Sequence, residues 1–264
     1  ASLANEFKQI SAWKTYPHAK QTARLHDPRG RAFLERVRSS GIKIVAAHRG
    51  ITNNLGYHSP GSPEDVVLAA RMFPDIKFLV YHSGLEKPEE ENHPYDPTTK
   101  PEDCKGVDRF VRAMEDARVA NQPVTNVWAD LGTTWYRLAG HEGAAAHVLG
   151  KLIKYVGEDR VLFGSDSMNN GVAQGQIVRL RTFNMPETLG YPALTAAIKR
   201  KIFGLNGAAV YGIDPQALLY KIKDDDIAKL KTAYREDPRS VPAPHPDEYK
   251  GPRTRRQFLA LQKT

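Results

Sequence analysis

The sequence predicts an α/β protein built on a parallel sheet, and three observations predict it. Strand-like apolar runs alternate with amphipathic helical stretches, the pattern of stacked βα units. Three of those runs stop at a residue of metal-ligand type: 42–47 stops at His48, 76–81 at His82 and 160–165 at Asp166. In a barrel of parallel strands the C-terminal strand ends converge on one face, so side chains far apart in sequence share one site. Two histidines and an aspartate gathered there point to a bound metal.

Length and composition agree with one domain. The chain has 264 residues, 41% of them hydrophobic, enough to bury a substantial core. A lone cysteine, Cys104, excludes an internal disulfide and a thiolate-based structural zinc site. No run of about 18 apolar residues occurs, and the first residues lack a charged-then-apolar leader pattern. The expectation is a soluble protein with no membrane contact and a cytoplasmic location, any leader lying upstream of Ala1. The net charge is +8, and from Lys221 onward 11 basic residues stand against 7 acidic ones. Half of the excess therefore sits in a tail of mixed sign. With no interleaved aromatic platform and no nucleic-acid module, nucleic acid is not expected as a partner.

The elements follow in order. The first strand is expected over 10–16, and a helix over 31–40 puts Phe33, Leu34 and Val37 on one face before Gly41 ends it. Strand 42–48 comes next. Ser62, Pro63, Glu64 and Asp65 predict a helix with Ser62 as its N-cap, Pro63 at its first position and acids in its first turn, running to about 73. Strand 76–82 follows it. Residues 86–106 hold four prolines and seven acids without periodicity, which predicts a long loop of functional type. A helix at 107–120 precedes strand 126–131, a helix at 141–156 precedes strand 160–166, and further helices are expected at 172–182, 193–203 and 207–211. That makes five strands.

Several of these stretches resemble a known family. Ala12-Trp13-Lys14-Thr15-Tyr16, the run from Gly41 to His48-Arg49-Gly50, Phe73-Pro74-Asp75 leading to His82-Ser83-Gly84, Arg160 to Asp166, and Lys201-Ile202-Phe203-Gly204 to Gly212 are similar to the metal-dependent amidohydrolase superfamily. More narrowly they resemble amidohydrolase family 2, the branch that includes aminocarboxymuconate-semialdehyde decarboxylase. The resemblance covers most of 10–214. It implies a (β/α)8 TIM barrel in which His48, His82 and Asp166 end strands five, six and eight, so that this chain carries strands four to eight and a C-terminal helical extension. Strands one to three, with the first-strand pair of metal ligands, are then expected upstream or from another chain. The division expected is a barrel part over 1–220 and a helical, Pro-rich extension over 221–264.

Roles follow from chemistry and from the resemblance together. His48 offers a neutral imidazole nitrogen to a metal. His82 is a second ligand or, as the decarboxylase branch implies, an acid that polarises substrate. Asp166 combines metal ligation with proton transfer from a metal-bound water, and the ion lowers that water's pKa from 15.7 toward about 7. The cofactor expected is a divalent metal, zinc first, with manganese or iron as alternatives. Lys14, on the fourth strand, is implied as a carboxylated lysine bridging two metals, or is an ordinary lysine that meets a substrate carboxylate or an acid. Arg49 is placed to contact an anionic substrate or to form an ion pair.

His58 and His93 fall in loops on the expected active face, whereas His141 and His147 read as structural or exposed. Trp128, Trp135 and Tyr136 surround the seventh strand, with Trp128 read as core. The tail is expected to hold a helix near 227–235, a Pro-rich connector at 238–246 and a basic stretch at 251–259, wrapping its own barrel or a neighbour. The resemblance implies a homo-oligomer acting on a small molecule. Three functions stay open: a metal-dependent hydrolase of C–N or C–O bonds, a non-oxidative decarboxylase of an aromatic or enoic carboxylate, and a non-catalytic or partner-completed barrel fragment.

Overall fold

In a computed structural model of the chain, residues 6–7, 9–17, 23–52, 56 and 58–237 are described. Five parallel strands form one open sheet in sequential order: β1 Trp13–Thr15, β2 Ile44–His48, β3 Lys77–Tyr81, β4 Val127–Asp130 and β5 Val161–Leu162. The α/β class and the number of strands are as the sequence predicts. Each strand is shorter than its apolar run. The last departs most, because the Phe163 N–H bonds the carbonyl of Ile202 at 2.9 Å and the chain turns off the sheet after Leu162.

Register aligns Lys14 with Ala46, Ala46 with Leu79, Leu79 with Trp128, and His48 with Tyr81, Tyr81 with Asp130 and Asp130 with Leu162. Alternate residues of a strand face opposite sides, so all of these lie on one face and Val45, Ala47, Phe78, Val80 and Ala129 on the other. The second face carries the main core. It packs against α1 Pro28–Ser39, α2 Glu64–Met72, α3 Val107–Val119 and α4 Glu142–Lys151 through Leu34, Val66, Ala70, Phe110, Val111, Val148 and Leu149. α4 continues as a π-helical turn, Leu152–Gly157, before β5.

The first face would line a barrel. Its lower half holds Ala46, Leu79 and Leu162 together with Val210, which lies on α6, Asn206–Tyr211. Lys77 donates from Nζ to the Val210 carbonyl at 2.7 Å and so holds α6 across this face. Before it come α5 Gln174–Thr182 and a short helix, Ala196–Arg200, with a π-turn at Lys201–Leu205. After it come α7 Pro215–Ile222, which the sequence did not predict, and α8 Asp226–Glu236, the tail helix it did. The connector at 238–246 and the stretch at 251–259 lie outside the described residues.

Two expectations are corrected. Ser62 is not the cap of α2, which begins at Glu64 with no side-chain cap bond. Instead the Ser62 hydroxyl donates to the Glu64 carboxylate, which also accepts from Arg24 at 2.9 Å. The second acid, Asp65, is fully buried and takes Nε and Nη2 of Arg49 at 2.8 and 2.7 Å. These first-turn acids hold the chain together across the fold, a use that outweighs their interaction with the helix dipole.

The stretch 86–106 is likewise no free loop. It contains short 3-10 turns at Pro88–Glu91 and Pro101–Asp103 and is pinned over α3 and α4. Glu91 accepts the Val107 N–H at 2.8 Å and the ammonium of Lys151 at 2.8 Å, and Lys151, wholly buried, also donates to Asp108 at 2.7 Å. The stretch therefore lies on the outer, helical layer.

Breaking a buried ion pair from one side leaves a desolvated charge behind, at a cost of about 3–5 kcal/mol. Asp65→Ala strands the Arg49 guanidinium in this way, and urea denaturation should show a loss of that size. A loss below about 1 kcal/mol would mean that the pair does not tie β2 to α2.

Candidate active site

The upper half of the same face, at the C-terminal strand ends, surrounds a cavity of about 370 Å3. Lys14 and Tyr16 come from β1 and its end, His48 from β2, Tyr81 and His82 from β3, Asp130 from β4, and Asp166 and Asn169 from the turn beyond β5, with Gly132 and Gly164 in the wall. Parallel strands in register deliver these side chains to one edge.

His82 is held in a turn that ordinary residues avoid. His82 and Ser83 both have positive φ, 69° and 51°, at an expected cost of order 1–3 kcal/mol each. Side-chain bonds hold the turn: the Ser83 hydroxyl donates to the Asp130 carbonyl at 2.8 Å and the Thr134 hydroxyl to the His82 carbonyl at 2.8 Å. Gly50, at φ +85°, completes the support, since a Cβ there would lie 2.4 Å from the Leu85 carbonyl oxygen. His82 Nδ1 lies 2.5 Å from the Gly132 carbonyl, which only accepts, so Nδ1 carries the proton. Its Nε2 then faces Nδ1 of His48 at 3.2 Å. Burial pushes the His82 imidazole below its ordinary value, Lys14 adds to this, and the Gly132 bond and Asp166 oppose it. His82 is therefore neutral near pH 7, and the other ring nitrogen of His48, Nε2, lies 3.4 Å from the Ile51 carbonyl.

Asp166 lies four residues beyond β5, in a left-handed conformation. Thr133 donates its hydroxyl to Oδ2, and Asn169 its amide to Oδ1 at 3.0 Å. Burial works to raise this carboxyl, but those two bonds, with His82 and Lys14 nearby, outweigh it and hold Asp166 below the usual aspartate value. Asp130 goes the other way. Burial raises it to about 6, Asp166 adds to the rise, and the Gly132 N–H and Lys14 oppose it. Lys14 Nζ sits 3.2 Å from the Tyr81 ring centroid and 5.2 Å from that of Tyr16. Burial lowers it to about 8 against the pull of Asp130 and Asp166.

Of the residues singled out from sequence, Lys14, His48, His82 and Asp166 share the cavity and Arg49 does not. Arg49 is almost fully buried against Asp65, and its Nη1 donates to the His48 carbonyl at 2.8 Å, so it forms the ion pair expected as the alternative and braces the end of β2 without lining the cavity. His58 bonds Glu64 through its N–H, and His93 lies 3.7 Å from Asp108 on the helical layer; neither lines the cavity. His147 is buried and 3.0 Å from the Tyr191 hydroxyl, and His141 is partly exposed. Trp128 lies on the barrel-lining face, Trp135 is wholly buried in the core and Tyr136 is exposed.

Asp130, Thr133 and Asn169 were missed. Asp130 repeats the signal that found the others, an apolar run stopping at an ionisable residue, but extending the strand to Leu131 hid it. Nothing local marks Thr133 or Asn169, whose positions depend on how two turns meet.

A metal needs more than this set. Among the described residues no three His, Cys, Asp or Glu side chains are gathered as a metal-binding group. The imidazole nitrogens of His48 and His82, 3.2 Å apart, could both reach an ion at bonds of about 2.0–2.1 Å, so they fit as two of its ligands.

A family model described as amidohydrolase, Amidohydro_2, matches residues 9–213, most of the chain. The chain belongs to the amidohydrolase family. Among solved structures, one described as a 2-pyrone-4,6-dicarboxylic acid hydrolase from Pseudomonas putida is similar at 16% identity and a TM-score of 0.51, over 80% of this chain and 67% of that one. At that identity the likeness shows a shared fold. A protein similarly described, from Acinetobacter baumannii with citric acid bound, gives 14% identity and a TM-score of 0.44 over 76% of this chain and 63% of that one. No curated protein matched.

The Thr133 hydroxyl bonds the charged form of Asp166 and so lowers its pKa. Thr133→Val removes that bond without changing shape, and the Asp166 carboxyl should titrate higher when followed by 13C NMR. An unchanged titration would mean that Thr133 does not orient it.

Proposed function

We propose that this member of the amidohydrolase family is a hydrolase that cleaves a C–N or C–O bond of a small molecule, with Asp166 as the general base. One observation carries the proposal: a carboxylate kept ionised by a hydroxyl and an amide opens onto a cavity shared with two imidazoles and an ammonium. A base held below the usual aspartate value is ready to accept a proton from water throughout the neutral range. Lys14 presents its ammonium to the charge that develops on the attacked carbonyl or on a substrate carboxylate. The imidazoles of His48 and His82, the latter fixed by Gly132, shape the floor on which substrate rests.

The family resemblance implies a divalent ion, zinc first, for which His48, His82 and Asp166 would be ligands. Bound there, the ion would lower the pKa of a water molecule. The described residues supply only part of its shell, so further ligands have to come from elsewhere in the assembled enzyme.

Asp166→Asn keeps the shape and both hydrogen-bond partners in reach but removes the base. Turnover of an ester or amide substrate should fall about 10²–10⁴-fold with the circular dichroism spectrum unchanged. Retained turnover would end the assignment. With the natural residue in place, the acid-side fall in activity should come only below about pH 4, the ordinary aspartate value, because the folded Asp166 carboxyl titrates lower still. Product analysis separates this reading from a decarboxylase, which releases carbon dioxide from a carboxylate.

A further inference from the structure

The cavity holds a second carboxylate in surroundings unlike those of Asp166. Asp130 ends β4, and its Oδ1 accepts the Gly132 N–H at 2.9 Å. Both of its oxygens lie against glycines. A Cβ on Gly132 would come 2.7 Å from Oδ1, and one on Gly164 would come 2.9 Å from Oδ2 and 3.0 Å from the Gly132 backbone. Any side chain at either position would displace the carboxyl, so two glycines from separate loops make its seat. The same Cβ on Gly132 would lie 3.9 Å from the Asp166 Cβ, so Gly132 stands between the two acids.

Among the described residues, four charged or titratable groups interact with Asp130. Lys14 approaches from β1, Tyr81 from β3, Tyr211 from α6 and Asp166 from beyond β5. Both tyrosines are pushed above their ordinary value, by burial first and then by Asp130, so both are neutral. Lys14 is the only cation among these neighbours, and it lies against the Tyr81 ring.

We infer that Asp130 is a second catalytic residue, the general acid that protonates the leaving group while Asp166 serves as base. This rests on the hydrolase reading of the site. Water adds to the acyl carbon as Asp166 takes one of its protons; the C–O or C–N bond then breaks, and Asp130 passes its proton to the departing oxygen or nitrogen. The products are an acid and an alcohol or amine. Asp166 returns its proton to solvent and Asp130 regains one, which balances the cycle. Two carboxyls whose surroundings push them apart are the arrangement such a division of labour requires.

The test compares Asp130→Asn, Gly164→Ala and the unmodified chain on 4-nitrophenyl acetate and methyl acetate. 4-Nitrophenolate leaves without a proton, whereas methoxide needs one. Both variants should lose at least about 100-fold on the methyl ester and less than about 5-fold on the nitrophenyl ester, in the range general acid catalysis supplies. Equal losses on both esters, or none on either, would overturn the inference. If the unmodified chain hydrolyses neither ester, the hydrolase reading fails on these substrates. The acid role is then judged by 13C NMR of the Asp130 carboxyl, assigned with Asp130→Asn. Titration near the ordinary aspartate value refutes it. A carboxyl still protonated at pH 5 and ionised by pH 7, and returned toward the ordinary value by Gly164→Ala, sustains it.

Discussion

Everything at the candidate site depends on one constraint: five strands that run parallel and in sequential order have all their C-terminal ends on one edge. The register from Lys14 through Ala46 and Leu79 to Trp128, and from His48 through Tyr81 to Asp130, then decides which face each side chain takes. A slip of one residue in any strand would send its ionisable end to the helical side. The outer face, packed against four helices by Val45, Ala47, Phe78 and Val80, fixes that register because those residues fit nowhere else.

Buried ion pairs then fix the turns that leave the strands. Arg49 and Asp65 join the end of β2 to the start of α2, while Lys151 holds Glu91 and Asp108 and presses residues 86–106 onto the outer layer. These charges face no solvent and no substrate. Their partners satisfy them, which is why residues of catalytic type serve here as ties. The left-handed turn of His82 and Ser83 persists for the same reason, being over-determined by bonds from Ser83, Thr134 and His82 itself.

The cavity's electrostatics come from what surrounds each carboxyl. Asp166 meets donors that prefer its charged form, whereas the Asp130 carboxyl occupies space left free by the missing Cβ atoms of Gly132 and Gly164 and accepts the Gly132 N–H. Residues of one type thus acquire opposite tendencies within one cavity. Helix α6, held by Lys77, closes the lower part of the same face, and the cavity with its ionisable groups lies at the top.

The sequence by itself determined the α/β class, the five strands and three of the strand-end residues, because period and strand-end chemistry are local properties. His48 and His82 follow their runs directly and were legible for that reason. Asp166 was legible as a residue but not in its setting, four positions past a strand that is only two residues long. Tertiary structure alone decided that Arg49 turns inward to Asp65, that Ser62 serves Glu64 and not a helix end, and that Thr133 and Asn169 hold Asp166. It also decided that Asp130 joins the site. Those outcomes depend on which groups lose water together when distant turns meet, and no local pattern of residues records that.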